Sequence, residues 1–203
     1  MIAIIDYGVG NLFSLKSSFA AIGYDALVTS DPEVLRAADR LILPGVGAFG
    51  DAAQKLKASG LGEVLCEQAA KGKPIMGICL GMQLLFDKSY EYGVHEGLGL
   101  ISGSVRPISE VIPKDYKIPH IGWNSLKFKR KSPIFKYLKD GDHVYFVHSF
   151  YAADCEDAVI ADAEYGAELT AAVQNGNVYG CQFHPEKSGN VGLNILRAFC
   201  ELE

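Results

Sequence analysis

The stretch Pro74-Ile75-Met76-Gly77-Ile78-Cys79-Leu80-Gly81-Met82-Gln83-Leu84-Leu85-Phe86 decides the fold that we expect for this chain. Pro74 to Ile78 has the apolar run of a short buried strand, and Leu80 to Phe86 has the pattern of the first turns of an apolar helix. Between them, Gly77 to Gly81 follow the nucleophile-elbow pattern G-x-C-x-G, in which the flanking glycines leave room for a tight turn. The start of a helix favours a thiolate over a thiol. A structural cysteine buried on a strand explains Cys79 equally well, so the rest of the chain has to decide.

The composition excludes several classes of protein. The 203 residues suffice for one domain with a large core, and 49% apolar residues argue against disorder, so we expect a single domain over residues 1 to 203. The formal net charge of −5 argues against a nucleic-acid partner. No apolar run approaches the roughly 18 residues of a membrane span, and the first residues lack the basic start of a signal peptide. The 5 cysteines include no C-x-x-C pair, which indicates neither a disulfide framework nor a metal site and favours a reducing, cytoplasmic setting.

Strands and helices alternate along the part of the chain that precedes the elbow. Parallel strands need crossover helices, so this pattern predicts a three-layer α/β fold, with a mostly parallel central sheet and helices on both faces. A dinucleotide site is excluded, because G-x-G-x-x-G would need a third glycine where Phe13 stands. The glycine loop after the first strand is either a tight turn or a segment close to a ligand or partner. The expected strands are Ile2–Asp6, Asp25–Thr29 and Arg40–Leu43, and the expected helices are Phe13–Ile22, Pro32–Ala38, Asp51–Leu56 and Leu61–Lys71.

The remainder of the chain favours strands. Short apolar runs between Gly97 and Val147 predict antiparallel strands added to the edge of the same domain. A basic cluster, Lys127 to Lys131, is either a guide for an anionic partner or a solvated hairpin tip, and the acidic net charge favours the hairpin tip. The expected later strands are Gly103–Ile108, Ile121–Phe128, His143–Val147, Ala158–Glu164, Thr170–Gln174 and Val178–Phe183, and Gly192–Leu202 is expected to be a helix whose buried face carries Leu193, Leu196, Phe199 and Cys200.

Two further segments carry groups that a cysteine nucleophile needs. His184-Pro185-Glu186 follows a predicted strand, and we expect Pro185 to keep the backbone extended, so that His184 and Glu186 point to the same side. A base next to Cys79, oriented by a carboxylate, would complete a Cys-His-Glu triad. Pro44-Gly45-Val46-Gly47 ends another strand, and its backbone N–H groups are candidates for an oxyanion hole. A surface turn and an ordinary strand–helix turn are the structural alternatives for these segments.

The glycine turn, the elbow and His184-Pro185-Glu186 together resemble the three signatures of class I glutamine amidotransferases. Further stretches narrow the resemblance to the glutaminase subunits of imidazole glycerol phosphate synthase. At Phe150 those proteins more often have tyrosine, which is a conservative change for packing. The further stretches that narrow the resemblance are Ile5-Asp6-Tyr7-Gly8-Val9-Gly10-Asn11-Leu12, Ala48-Phe49, Pro119-His120-Ile121-Gly122-Trp123-Asn124, Tyr145-Phe146-Val147-His148-Ser149-Phe150 and Lys187-Ser188.

The resemblance implies a reaction and a role for each matching residue. Cys79 would attack the side-chain amide of glutamine to give a thioester and ammonia, with His184 as general base and then acid, oriented by Glu186. The resemblance places further residues around the nucleophile. The implied oxyanion hole comprises Gly45, Val46, Gly47 and Leu80, and the implied glutamine contacts are Gln83 and Glu91 with the backbone at His148, Ser149 and Phe150.

The resemblance also implies a partner. Ammonia would pass to a separate (β/α)8-barrel cyclase subunit in a heterodimer, which makes imidazole glycerol phosphate and the purine precursor AICAR for histidine biosynthesis. Asn11, Trp123 and Lys187 would lie at or near that partner, and no cofactor or metal is implied. A class I amidotransferase serving another synthase, a γ-glutamyl hydrolase and a non-catalytic binding module are the alternatives. The stretches Asp6–Leu12 and Pro119–Asn124 argue against the first two, and the intact triad argues against the third.

Overall fold

The apolar runs near the start of the chain form the centre of a large sheet. The computed structural model describes residues 1–202, which form fourteen strands and six α-helices. The helices are α1 (Leu12–Ala21), α2 (Pro32–Ala37), α3 (Phe49–Ala58), α4 (Leu61–Ala70), α5 (Leu80–Gln83) and α6 (Gly189–Cys200). The strands are β1 (Ile2–Ile5), β2 (Ala26–Thr29), β3 (Arg40–Leu43), β4 (Ile75–Ile78), β5 (Phe86–Ser89), β6 (His95–Glu96), β7 (Ile101–Pro107), β8 (His120–Ser125), β9 (Lys127–Phe128), β10 (His143–His148), β11 (Phe150–Ala153), β12 (Val159–Glu164), β13 (Glu168–Asn175) and β14 (Val178–Cys181).

The main sheet has eight strands in the order β2-β1-β3-β4-β14-β13-β12-β9. The first five of these are parallel, and the last three are added in antiparallel fashion. The three neighbours β3, β4 and β14 therefore end at the same edge of the sheet. Because ligands of open α/β sheets bind beyond the carboxyl ends of the strands, this edge is the expected place for a site.

Helices cover both faces of the main sheet, as the alternating pattern predicts. On one face, α3 and α4 bury Phe49 and Leu65, and on the other face, α1 and α6 bury Phe19 and Phe199, all at 0% exposure. Each face thus has its own apolar core against the sheet. The predicted α/β class, with a mostly parallel sheet between two layers of helices, is confirmed.

The predicted helix from Leu80 to Phe86 is too long. Helix α5 ends at Gln83, and the chain then turns into β5. The carbonyl groups of Leu84, Leu85 and Phe86 accept hydrogen bonds from backbone N–H groups of residues 98 to 101. The run Leu84 to Phe86 is apolar at every position, and such a run does not show whether its hydrogen bonds will be local or to a distant segment.

The middle of the chain differs from the prediction of antiparallel strands on the edge of the main sheet. Strands β8 and β10 form a separate antiparallel pair, while β5, β6, β7 and β11 form a four-stranded sheet in which β5 and β7 are parallel. Only β9 joins the main sheet, since the predicted strand Ile121–Phe128 is interrupted at Leu126. The backbone of Leu126 is bonded to Asp142 and Gly141 instead.

The basic cluster lies on an edge strand and not at a hairpin tip. Lys127 forms an ion pair with Glu168, and Lys129 lies 2.8 Å from Glu168 and 2.9 Å from Asp162. Arg130 donates to the backbone carbonyl groups of residues 158 and 174. Acidic side chains on β12 and β13 therefore neutralise Lys127 and Lys129, two of the four cations of this cluster.

The last helix begins earlier than predicted and buries a different set of residues. Helix α6 starts at Gly189, and Ile195 is buried where the prediction placed Leu193, which is half-exposed. The predicted Leu196, Phe199 and Cys200 are buried. Among residues 1–202, no helix is both long enough and apolar enough to cross a membrane.

Candidate active site

Cys79 lies in the elbow between β4 and α5, with a φ of 55° and a ψ of −114°. This positive φ is unfavourable for a residue with a side chain and is typical of a nucleophile elbow. The flanking glycines are sterically required. A Cβ on Gly81 would lie 1.9 Å from the carbonyl oxygen of Leu43, and one on Gly77 would lie 2.6 Å from that of Gly81. The elbow therefore folds as predicted because neither Gly77 nor Gly81 carries a side chain.

His184 and Glu186 are in direct contact immediately beyond β14. The Nδ1 of His184 lies 2.8 Å from Oε1 of Glu186, and the Glu186 side chain is only 2% exposed. The backbone of His184 is extended, but Pro185 to Lys187 form a 3-10 turn, so the prediction that Pro185 keeps the segment extended is wrong. The turn brings the carboxylate back to Nδ1 of the ring. Since Nδ1–H donates to Glu186, Nε2 is left for a proton exchanged with Cys79.

The environment of His184 favours the imidazolium. Burial lowers the pKa of His184, but the neighbouring sulfur of Cys79 and the carboxylate of Glu186 outweigh it and raise the pKa to about 9. A protonated imidazole beside a sulfur atom stabilises a thiolate, which is the nucleophilic form of cysteine. The predicted triad residues are thus brought together in an arrangement that suits attack on a carbonyl carbon.

The sulfur faces a cleft of about 340 Å³ between the main sheet and the β8–β10 pair. Clefts of about 430 and 530 Å³ lie elsewhere, but their linings within residues 1–202 contain no histidine. Nearly all the predicted site residues line the smaller cleft. They are Val46, Gly47, Cys79, Leu80, Gln83, Glu91, His148, Ser149, Phe150 and His184, together with Tyr92, Pro119 and Val147, which were not predicted.

The glycine turn forms one wall of the cleft. The hydroxyl of Tyr7 donates to the carbonyl oxygen of Pro44 over 2.7 Å and fixes the start of the turn. Gly45 lies behind the wall, because a Cβ there would come within 2.6 Å of the Gly81 nitrogen. Gly47 has a φ of 92°, which requires glycine, and Val46 is 46% exposed. Backbone groups of this turn are therefore close to the start of α5, as the prediction of an oxyanion hole requires.

Glu91 and Gln83 both line the cleft, but their side chains are held differently. The carboxylate of Glu91 accepts a hydrogen bond from the Phe49 backbone N–H over 2.8 Å, and burial raises its pKa. The amide nitrogen of Gln83 is already used within the protein, since it donates to the Phe150 carbonyl over 3.2 Å and to Oε1 of Gln182 over 3.0 Å. Glu91 is thus the side chain with an anionic group available to a ligand.

Gln182 is a site residue that the sequence reasoning missed. It is fully buried, and its Nε2 lies 3.8 Å from Sγ of Cys79. Its other amide atom accepts the hydrogen bond from Gln83. A glutamine inside the apolar run Val178 to Phe183 was the available signal, because a buried amide needs partners.

His148 lines the cleft but is not available as a base. Its Nδ1 lies 2.8 Å from the Phe150 carbonyl oxygen, and its Nε2 lies 2.9 Å from Nδ1 of His120. Burial lowers the pKa of His148 to about 4, so the ring is neutral at pH 7. Of the two histidines at the cleft, only His184 is placed to exchange a proton with Cys79.

The predicted partner residues have different surroundings. Asn11 caps α1, accepting a hydrogen bond from the Ser14 N–H over 3.3 Å. Trp123 is 57% exposed and packs edge-to-face on Tyr145, and Lys187 is exposed on the 3-10 turn against which α1 packs. Within residues 1–202, no group of three or more His, Cys, Asp or Glu side chains is placed to hold a metal ion.

Comparison with known proteins shows that the chain is similar to one protein family along almost its whole length. The family described as glutamine amidotransferase class-I matches residues 3–201. A protein of Caldanaerobacter subterraneus named imidazole glycerol phosphate synthase subunit HisH is 51% identical over 203 residues, which cover 100% of this chain and 98% of the relative. The protein of that name in Methanothermobacter thermautotrophicus is 52% identical, with the same coverage.

Solved structures of low sequence identity share the fold. A structure described as a glutamine amidotransferase superposes with a TM-score of 0.77 at 19% identity, covering 99% of this chain and 98% of the other. The structure of PurLQS from Thermotoga maritima gives a TM-score of 0.75 at 22% identity, covering 98% of this chain and 96% of the other. These similarities confirm the arrangement of sheet and helices.

Proposed function

The chain belongs to the class I glutamine amidotransferase family, and from that premise we propose that it is the glutaminase subunit of an imidazole glycerol phosphate synthase. It releases ammonia from glutamine and supplies it to the synthesis of the imidazole ring in histidine biosynthesis. The observation that carries this proposal is that Cys79 and His184 line the same cleft, with His184 bonded to Glu186 behind it. Full-length similarity of about half the residues to HisH subunits supports the choice of synthase.

The proposed reaction follows from the positions of the triad. The sulfur of Cys79 attacks the side-chain amide carbon of glutamine, and the amide oxygen takes the negative charge of the tetrahedral intermediate. His184 gives a proton from Nε2 to the amide nitrogen, so that ammonia leaves and a glutamyl thioester remains. His184 then takes a proton from a water molecule, which attacks the thioester and releases glutamate. Glu186 holds the ring through Nδ1 in both steps.

Backbone groups complete the proposed site. The N–H of Leu80 and those of the Gly45–Gly47 turn stabilise the tetrahedral oxyanion. The carboxylate of Glu91 binds the α-ammonium group of glutamine, and the backbone at His148, Ser149 and Phe150 binds the rest of its head group. Gln83 acts differently from the expectation, because its amide is used to hold Phe150 in place.

A partner subunit belongs to the proposal. The matched relatives are named as subunits of a synthase, and we propose that this chain pairs with a (β/α)8-barrel cyclase in a heterodimer. The cyclase would combine ammonia with its nucleotide substrate to give imidazole glycerol phosphate and AICAR. Asn11, Trp123 and Lys187 would face that subunit, residues 1 to 203 would form one amidotransferase domain, and the complex would act in the cytoplasm.

A steady-state glutaminase assay with and without a candidate cyclase tests this function. We expect ammonia release to rise on the order of 10²-fold when cyclase and its nucleotide are present, because a missing oxyanion donor costs about that much.

Cys79→Ala should lower release at least about 10³-fold while the variant still binds the cyclase. Cys66→Ala, at a half-buried cysteine outside the cleft, is the matched control. Undiminished release from Cys79→Ala would contradict the assigned nucleophile, and equal rates with and without cyclase would contradict its dependence on the partner.

A further inference from the structure

Two histidines outside the triad form a buried pair across β8 and β10. His120 and His148, here called the histidine pair, lie directly opposite each other in the strand register. They are 3% and 6% exposed, and Nδ1 of His120 lies 2.9 Å from Nε2 of His148. The mechanism uses neither ring, yet His148 reaches the cleft wall.

The hydrogen bonds around the pair leave one arrangement of protons. Asn124 Oδ1 accepts from the Ser125 N–H over 2.8 Å, and its Nδ2 donates to the Glu164 carbonyl over 2.7 Å, so the orientation of the amide is fixed. The same Nδ2 lies 3.3 Å from Nε2 of His120, which must therefore be an acceptor. His120 then carries its proton on Nδ1 and donates it to His148.

The same logic fixes His148. Its Nδ1 lies 2.8 Å from the Phe150 carbonyl oxygen, which can only accept, so this nitrogen carries the proton. Its Nε2 receives the proton of His120 as a hydrogen bond. Both rings are thus neutral and in the Nδ1–H form, which is determined by the network and not by either ring alone.

The Phe150 carbonyl is where this network meets the catalytic one. It accepts from His148 and, over 3.2 Å, from Gln83. Gln83 is joined to Gln182, which reaches the sulfur of Cys79. A change of proton position in the histidine pair would turn a lone pair of His148 toward this carbonyl and repel it. The backbone from His148 to Phe150 would then leave its position relative to the nucleophile.

Stacking holds the His120 ring in the required plane. The ring lies between Tyr165, at 4.2 Å and 23°, and Phe146, at 4.9 Å and 24°. Both faces of the imidazole are therefore covered, so that rotation of the ring away from His148 is blocked. Packing and hydrogen bonding act on the same side chain, and an experiment has to separate them.

We propose that His120 is a positioning residue for the glutaminase reaction, which keeps His148 in the Nδ1–H form and thereby fixes the Phe150 carbonyl and the backbone that binds glutamine. The proposal rests on the proposed function, because that backbone is its glutamine contact. His120 touches neither substrate nor sulfur, and its effect passes through His148.

Imidazole NMR of the full chain tests the proton positions without any activity. At neutral pH, the ¹⁵N and ¹³C signals of His120 and His148 should both report the neutral Nδ1–H form. The 5 histidines of the chain are assigned by single substitutions, with His143→Asn removing an exposed ring of β10. A His148 signal in the Nε2–H or charged form would overturn the proposal.

Two substitutions separate hydrogen bonding from packing in the complex with the cyclase subunit. His120→Asn places an amide N–H where Nδ1 stood and removes the stacked ring, whereas His120→Phe keeps the ring and removes the donor. We expect His120→Phe to lower kcat/KM for glutamine at least about tenfold, mainly through KM, and His120→Asn to stay within about threefold of the wild type. His143→Asn should match the wild type.

Which of the two variants has the higher kcat/KM for glutamine decides the outcome. If His120→Phe is as active as His120→Asn or more active, only packing matters and the proposal is overturned. If His120→Phe does not fold, the NMR result and the activity of His120→Asn still decide, since a large loss in His120→Asn would count against the proposal. A wild-type complex without glutaminase activity would instead defeat the proposed function, whatever the NMR signals show.

Discussion

At the scale of single residues, the environment of His184 links catalysis to stability. The neighbouring sulfur of Cys79 and the carboxylate of Glu186 overcome the effect of burial and raise its pKa from 6.5 to about 9. The folded state therefore binds a proton on His184 more tightly than the unfolded state does. This contribution to stability is fully present below about pH 6.5 and is lost as the pH rises through about 9.

We therefore expect the free energy of unfolding to fall between pH 6.5 and about 9, by on the order of a few kcal/mol. Denaturant titrations at several pH values in this window measure it. His184→Gln should remove most of this decrease, because the titrating ring is gone. His143→Gln, at an exposed histidine, is the matched control and should retain it. A decrease of equal size in His184→Gln would show that another group causes it.

The sequence pointed to the residues that we propose to react, but not to those that hold them. Cys79, His184 and Glu186 occur in short motifs whose chemistry is readable from residue type and spacing. Gln182 and His120 are bonded to partners 99 and 28 positions away, at Gln83 and His148. Their roles depend on which strands pair and in which register, and no local pattern contains that information.

At the scale of elements, the elbow depends on the close approach of α5 to β3. The carbonyl oxygen of Leu43 occupies the place that a side chain of Gly81 would need. We expect Gly81→Ala to push α5 away from β3, to destabilise the protein by more than about 3 kcal/mol and to abolish glutaminase activity. Thermal unfolding and ammonia release measure the two effects.

Gly62→Ala is the matched control for that substitution. Gly62 lies within α4, where the nearest atom to a new Cβ is the flexible Leu98 Cδ2 at 3.3 Å. Alanine favours a helix by about 1 kcal/mol over glycine, so this variant should be as stable as the wild type and fully active. A Gly81→Ala variant that behaves like Gly62→Ala would show that the elbow tolerates a side chain.

Most elements could be predicted because each one matches its own local pattern. The alternation of apolar runs with amphipathic segments was sufficient for β1 to β4 and for α1 to α4, whose bounds differ from the prediction by few residues. Residues 84 to 86 were wrongly expected to continue the helix because their carbonyls pair with a segment that follows twelve or more positions later. That pairing is set by tertiary packing, which overrides the local helical pattern.

At the scale of the whole molecule, the cleft lies beside an exposed apolar surface. Ile121 and Trp123 on β8 are 58% and 57% exposed, and Val46 at the cleft wall is 46% exposed. Lys187 lies on the turn that α1 contacts. Exposed apolar groups next to a site are typical of an interaction surface, and this one fits the proposed cyclase.

We expect Trp123→Ala to weaken binding to the cyclase at least about tenfold, since tryptophan is enriched among residues that dominate binding energy. The free energy of unfolding of the free chain should change little, because much of the ring is in contact with solvent. Tyr137→Ala, at an aromatic residue that is 47% exposed and bonded to Glu201, is the matched control. Calorimetric titration with the cyclase measures both variants, and equal affinities would remove Trp123 from the interface.

The positive φ of Cys79 affects the balance between the activity and the thermodynamic stability of the entire protein. Glycine adopts such a backbone freely, whereas a residue with a side chain loses about 1 to 3 kcal/mol there. The chain therefore carries, at its nucleophile, a residue that its architecture disfavours. In the proposed mechanism this residue is kept for ammonia release, so the fold gives up at Cys79 some thermostability that a glycine in the same place would retain.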